Sequence, residues 1–154
     1  MIACRPLMAN PDRHARGGPI VLYDGLCGFC NASVRVILRH DRRGTMRFAA
    51  LQNGYGETVK TRHPELRDVD SLVLVEPVPE TGRERVFIRS TAALRVAAYL
   101  GGWWTFLLVF HLVPRAMRDV FYDAFARCRY RLFGTYDRCP LPAADVRSRF
   151  VDSG

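Results

Sequence analysis

Apolar residues in this chain gather into short continuous runs and helical stripes, separated by glycine, proline and charge. Residues 19–23 form an unbroken apolar run that suits a buried strand. Cys30, Val34, Ile37 and Leu38 then recur at the i, i+4, i+7, i+8 spacing of an amphipathic helix, with Arg35, Arg39 and Arg42 off the stripe. Arg43-Gly44 breaks that helix, and residues 46–51 read as a second strand. A strand-helix-strand unit of this length implies parallel, right-handed pairing. The polar stretch 53–67 predicts a short helix over 56–62. Residues 71–76 are the clearest strand, and 85–89 are its expected antiparallel partner across a turn at Pro77, Pro79 and Gly82. Ser90 is placed to cap a helix over 91–100, closed by Gly101-Gly102.

The remaining third reads as helical. Residues 103–113 are strongly apolar, and a buried helix is expected there, with a membrane-surface or partner-facing patch as the alternative. Arg95, Gly101, Gly102 and His111 interrupt any longer apolar stretch and argue against a membrane span. After Pro114, the residues Met117, Val120, Phe121, Ala124, Phe125, Cys128 and Leu132 form one stripe, with Arg115, Arg118, Arg127, Arg129 and Arg131 around it. That pattern places Cys128 in the core and the arginines on a solvated face, with anion binding as the alternative. Cys139-Pro140-Leu141-Pro142 is a rigid turn, and 143–150 is a candidate short helix. The order β-α-β-α-β-β-α points to an α/β fold: a thioredoxin-like mixed sheet flanked by helices, with a helical extension over 103–150. Residues 1–18 are expected to be a flexible arm and 19–154 a single domain.

Charge and cysteine usage narrow the chemistry. The formal net charge is +8, and Lys60 is the only lysine among 23 basic residues. No basic block is interleaved with aromatics as a stacking platform would require, so no nucleic-acid partner is expected. The five cysteines are Cys4, Cys27, Cys30, Cys128 and Cys139, an odd count that does not suit a secreted disulfide framework. Residues 1–18 carry arginines but no apolar signal core, so a reducing, cytoplasmic setting is expected.

Cys27-Gly28-Phe29-Cys30 sits directly between the first strand and the first helix. First-turn amides and the helix dipole favour an anion there, which suits a thiolate nucleophile on Cys27. Cys30, one turn on and on the core face, is the expected resolving thiol, sheltered where Cys27 is exposed. Asp24 is a candidate general acid/base, or else a helix-capping or turn residue. No cofactor beyond a reversible Cys27–Cys30 disulfide is expected, and the substrate would be a protein disulfide or thiol or a glutathione-like molecule. Two alternatives stand beside this reading. One is a zinc-binding module using Cys27, Cys30 and Cys139, although no second Cys-x-x-Cys or paired histidine spacing supplies a full ligand set. The other is a non-catalytic interaction domain that docks through Trp103-Trp104.

Three motifs in order resemble those of the thiol-disulfide oxidoreductase DCC family. They are Tyr23-Asp24-Gly25-Leu26-Cys27-Gly28-Phe29-Cys30 after an apolar strand, Asp70-Ser71 before the strand Leu72-Val73-Leu74-Val75, and Arg127-Cys128-Arg129-Tyr130-Arg131-Leu132-Phe133-Gly134 followed by Cys139. The resemblance implies a thioredoxin-like fold and disulfide oxidoreductase activity. Thioredoxins place a proline before the strand that faces the dithiol. The corresponding place here is Asp70-Ser71, which makes both residues candidate substrate-binding positions.

Overall fold

The computed structural model describes residues 18–137 and 144–151. Four strands, β1 (Ile20–Tyr23), β2 (Arg47–Ala50), β3 (Val73–Val78) and β4 (Arg83–Ile88), form one sheet in the order β2-β1-β3-β4. β1 runs parallel to β2 and antiparallel to β3, and β3 runs antiparallel to β4. The parallel step is made by a crossover through α1 (Gly28–His40). This is an α/β fold with a mixed sheet, consistent with the thioredoxin-like order.

β1 is buried along its whole length because the sheet is covered on both faces. Its alternate residues feed two apolar clusters. Val21 and Tyr23 pack with Cys30, Val34 and Ile37 of α1 and with Ala92 and Val96 of α3 (Arg89–Leu100). Ile20 and Leu22 pack on the other face with Tyr55 and Val59 of α2 (Gly54–Arg62) and with Leu66 of a short 3-10 turn. Each fully buried side chain of this size contributes on the order of 1.5–3 kcal/mol. The β3–β4 hairpin runs further than the sequence suggests, through Pro77 and Val78. β1 pairs only with residues 73–75 of β3, so Pro77 lies where no third strand needs its missing N–H.

The last third departs most from expectation. Residues Gly102–Leu112 are a 3-10 helix with no buried residue, not a buried helix. α4 (Arg115–Phe133) packs on α1 and α3, but with its polar side inward. Met117, Val120, Phe121, Phe125, Cys128 and Leu132, the stripe expected to face the core, are exposed. The polar side goes inward because it finds partners there. Asp119 accepts from the Ser90 hydroxyl, Asp123 pairs with Arg89 at 3.2 Å, and the Tyr122 hydroxyl accepts from Leu72 N at 3.2 Å. Ser90 therefore ties α3 to α4 and does not cap α3, whose N-cap position is Ile88.

Of the expected helix over 143–150, the described part holds only a 3-10 turn, Arg147–Arg149. It brings Arg149 onto the buried Asp41 carboxylate and sets Phe150 beside Phe48, with Val151 N donating to Phe48 O at 2.9 Å. Cys4 and Cys139 lie outside the described residues.

Candidate active site

β1 ends at Tyr23, and the chain turns through Asp24-Gly25-Leu26 into α1. Asp24 makes that turn: its Oδ1 accepts from Leu26 N at 3.0 Å, and its main-chain carbonyl accepts from Cys27 N at 3.2 Å. It does not cap α1. The N-cap is Cys27 itself, whose Sγ accepts from Cys30 N at 3.5 Å. Asn31 locks the same turn from the helix side, donating through Nδ2 to Gly25 O at 2.8 Å and to Cys27 O at 2.9 Å.

Cys27 and Cys30 are both thiols, and both are buried. The expected exposure of Cys27 is therefore corrected: it has no accessible surface. The cause is the strand-like segment after α4. Thr135 forms an antiparallel bridge with Cys27, Gly28 N donates to Gly134 O at 3.2 Å, and Tyr136 N donates to Leu26 O at 2.8 Å. This strap lies across the Cys-x-x-Cys turn and seals the first sulfur. The fit is close: a Cβ on Gly28 would stand 2.3 Å from the Phe133 carbonyl oxygen, so only glycine fits there.

What little surface remains is on Cys30, 7% against 0% for Cys27, the reverse of the expected order. Burial pushes the Cys30 thiol up to about 12, and the adjacent Cys27, through its charge and hydrogen bond, adds to the rise. Arg129 opposes it, and the Asp24 charge reinforces it. Cys30 is thus a protonated thiol at neutral pH, while the sulfur of Cys27 lies at the amide end of α1.

Arg129 is the residue that the sequence pattern placed elsewhere. Expected on a solvated or anion-binding face, it is instead 2% exposed. Its Nη2 lies 3.4 Å from Asp24 Oδ2, and it donates to Asp70 O at 2.7 Å and to the Tyr130 hydroxyl at 2.8 Å. The Tyr130 hydroxyl donates in turn to Asp24 Oδ2. Burial pushes Tyr130 up to about 12, and its hydrogen bond to Asp24 adds to the rise. Burial alone would weaken the charge on Arg129, but the Tyr130 hydrogen bond outweighs it, the Asp70 carboxylate adds to this, and the guanidinium stays protonated. Gln52 completes the surround of Asp24, donating to Oδ1 at 2.8 Å and accepting from Gly25 N at 3.0 Å.

The structure therefore brings Asp24, Cys27, Cys30 and Arg129, all buried, together with the half-buried Tyr130 into one cluster. Asp70 joins through Arg129, its own carboxylate exposed and 3.4 Å from Nη2. Ser71 is buried two residues before β3, beside Tyr122. Sequence reasoning does not single out Gln52 or Tyr122; it raises Arg129 only as an alternative anion binder, and Tyr130 only as part of a motif. A signal was available: Asp119, Tyr122, Ala126, Arg129 and Tyr130 form a mainly polar stripe at helical spacing opposite the apolar one. Among the described residues, no group of three His, Cys, Asp or Glu side chains converges as a metal site would require.

A family model described as DCC1-like thiol-disulfide oxidoreductase matches residues 21–135, a span that holds every member of the cluster. The chain belongs to the DCC1-like family. Among curated DCC relatives, the uncharacterized protein YuxK of Bacillus subtilis is 34% identical over 134 residues, covering 86% of this chain and 93% of its own length. A DCC family protein of Arabidopsis thaliana, described as chloroplastic, is 36% identical over 125 residues, 80% of this chain and 69% of its own. No solved structure is significantly similar to this DCC chain.

Proposed function

We propose that this DCC-family chain is a disulfide oxidoreductase that cycles Cys27 and Cys30 between dithiol and disulfide. Cys27, as thiolate, attacks one sulfur of a substrate disulfide. A Cys27–substrate disulfide forms and the other substrate sulfur leaves as a thiolate, which takes up a proton. Cys30 then gives up its proton and attacks the Cys27 sulfur, forming the Cys27–Cys30 disulfide and expelling the second substrate thiolate. Two electrons pass from the dithiol to the substrate, and a thiol reductant of the glutathione or dithiol class restores the pair.

The observation that carries this reading is the difference between the two buried sulfurs. One accepts an amide at the helix start, and the other is held protonated by burial. Asp24, electrostatically coupled to Cys30 and hydrogen-bonded to Tyr130, is the nearby carboxylate that can accept the Cys30 proton in the resolving step. Arg129 balances the negative charge of the cluster. Asp70 and Ser71 form the rim against which a protein or glutathione-like substrate would lie. The odd cysteine count favours a reducing, cytoplasmic setting.

Trapping tests the assignment. Cys30→Ser treated with a mixed-disulfide probe such as oxidised glutathione should accumulate one adduct on Cys27, located by peptide mass spectrometry. Cys27→Ser should not form it. Adduct formation on Cys30 of Cys27→Ser at the same rate would reverse the roles.

A further inference from the structure

We propose that the apolar face formed by the 3-10 segment Gly102–Leu112 and the outer side of α4 docks this protein on the surface of an anionic phospholipid bilayer. A 3-10 helix repeats every three residues, so it stacks every third side chain into one ridge. Here that ridge is Trp103, Phe106, Val109 and Leu112, which are 69%, 76%, 59% and 85% exposed. Past Pro114, Met117, Val120 and Phe121 carry the apolar surface on along α4, all exposed. A run of large exposed side chains on this scale marks an interaction surface.

Charge selects the occupant. Between Arg89 and Phe133 the chain has only two acidic residues, Asp119 and Asp123. Both are engaged on the flank toward α3, Asp119 by Ser90 and Arg115 and Asp123 by Arg89. Arginines frame the ridge instead. Arg42 and Arg43 line a depression beside Gly101-Gly102 at its start, and Arg115, Arg127 and Arg131 are exposed along α4. Aromatic and aliphatic side chains ringed by guanidinium groups complement acyl chains beneath anionic headgroups. A second copy of this chain would set arginine against arginine. The first 17 residues, with Arg5, Arg13 and Arg16 against Asp12 alone, have the wrong charge as well.

The geometry fits lying on a bilayer rather than crossing it. At about 2.0 Å rise per residue the segment spans roughly 22 Å, short of a hydrocarbon core of about 30 Å. No helix among the described residues is long and apolar enough to cross a membrane.

The chain's only two tryptophans, Trp103 and Trp104, report on this segment without any substitution. The full-length reduced protein is mixed with phosphatidylcholine vesicles, with and without phosphatidylglycerol. The bound fraction should rise by about tenfold or more with phosphatidylglycerol and fall again at high salt. Brominated acyl chains should quench the tryptophan emission. Phe106→Ser and Leu112→Ser, both at exposed positions, should lose binding while circular dichroism stays unchanged. The proposal is overturned if the native protein neither sediments with anionic vesicles at low salt nor shows quenching. It is also overturned if the protein forms a concentration-dependent dimer whose assembly masks the tryptophans and abolishes vesicle binding.

Discussion

Arg129 and Asp24 lie 105 residues apart in the chain and meet in a buried ion pair, with Nη2 and Oδ2 separated by 3.4 Å. The pair joins α4 to the turn that carries Cys27, so the last helix is part of the site's scaffold. Arg129→Met removes the only cation at Asp24 among the described residues and leaves a carboxylate buried without it. Breaking such a pair from one side costs about 3–5 kcal/mol. Urea unfolding of Arg129→Met should show a loss of that size, and Asp24→Asn combined with Arg129→Met should lose less than the sum of the single changes.

The strap over Cys27 hangs from Gly134, which has φ +71. A side chain there is strained by roughly 1–2 kcal/mol. Gly134→Ala should therefore loosen residues 134–136 and raise the rate at which iodoacetamide modifies Cys27 in the folded, reduced protein, by several-fold to about tenfold. An unchanged rate would mean that Cys27 gains access by another route.

Gly28→Ala acts at the same joint from the other side. Its Cβ would meet the Phe133 main-chain oxygen at 2.3 Å, and backbone cannot swing away as a side chain can. Overpacking of this kind costs about 1–3 kcal/mol. The unfolding midpoint should drop accordingly, and cross-relaxation between the Gly28 and Gly134 backbones in NMR spectra should weaken.

The α4 region shows what was legible in the sequence and what was not. Periodicity correctly located the helix, as it did β1, α1 and the first turn carrying both cysteines. Yet a stripe such as Met117, Val120, Phe121, Phe125 and Leu132 says which face is apolar, not which face meets α1 and α3. The choice is made by long-range partners, Ser90, Arg89 and Asp24, that no local window contains. Arg129 is set apart from Arg127 and Arg131 only by its place on the polar stripe with Asp119 and Tyr122, and the burial of Cys27 could not be foreseen, since it depends on residues 134–136 returning over the turn. The three motifs of the DCC resemblance did mark all three regions that converge on the site.

The raised Cys30 pKa makes the reduced fold sensitive to alkali. Its thiol moves from an ordinary 9.0 to about 12 on folding, so the folded state holds that proton more tightly than the unfolded chain. The resulting stability is fully present below about pH 9 and is lost as pH rises toward 12. Three units amount to at most about 4 kcal/mol by pH 12. Tyr130, raised from 10.0 to about 12, works in the same direction. Urea unfolding of the reduced protein between pH 8 and 11 should show this decline, and it should be smaller in Cys30→Ser, where the Cys30 contribution is gone and the raised tyrosines Tyr130, Tyr122 and Tyr99 remain.

A redox titration of Cys27 and Cys30 is the most direct measurement. The full-length protein is equilibrated in buffers of graded reduced-to-oxidised glutathione ratio, alkylated, and its peptides weighed. A single two-electron transition, with Cys27 joined to Cys30 at the oxidising end and both free at the reducing end, is expected. Failure of the two sulfurs to join at any ratio, or persistent glutathione on Cys27 with Cys30 still free, would contradict the dithiol mechanism.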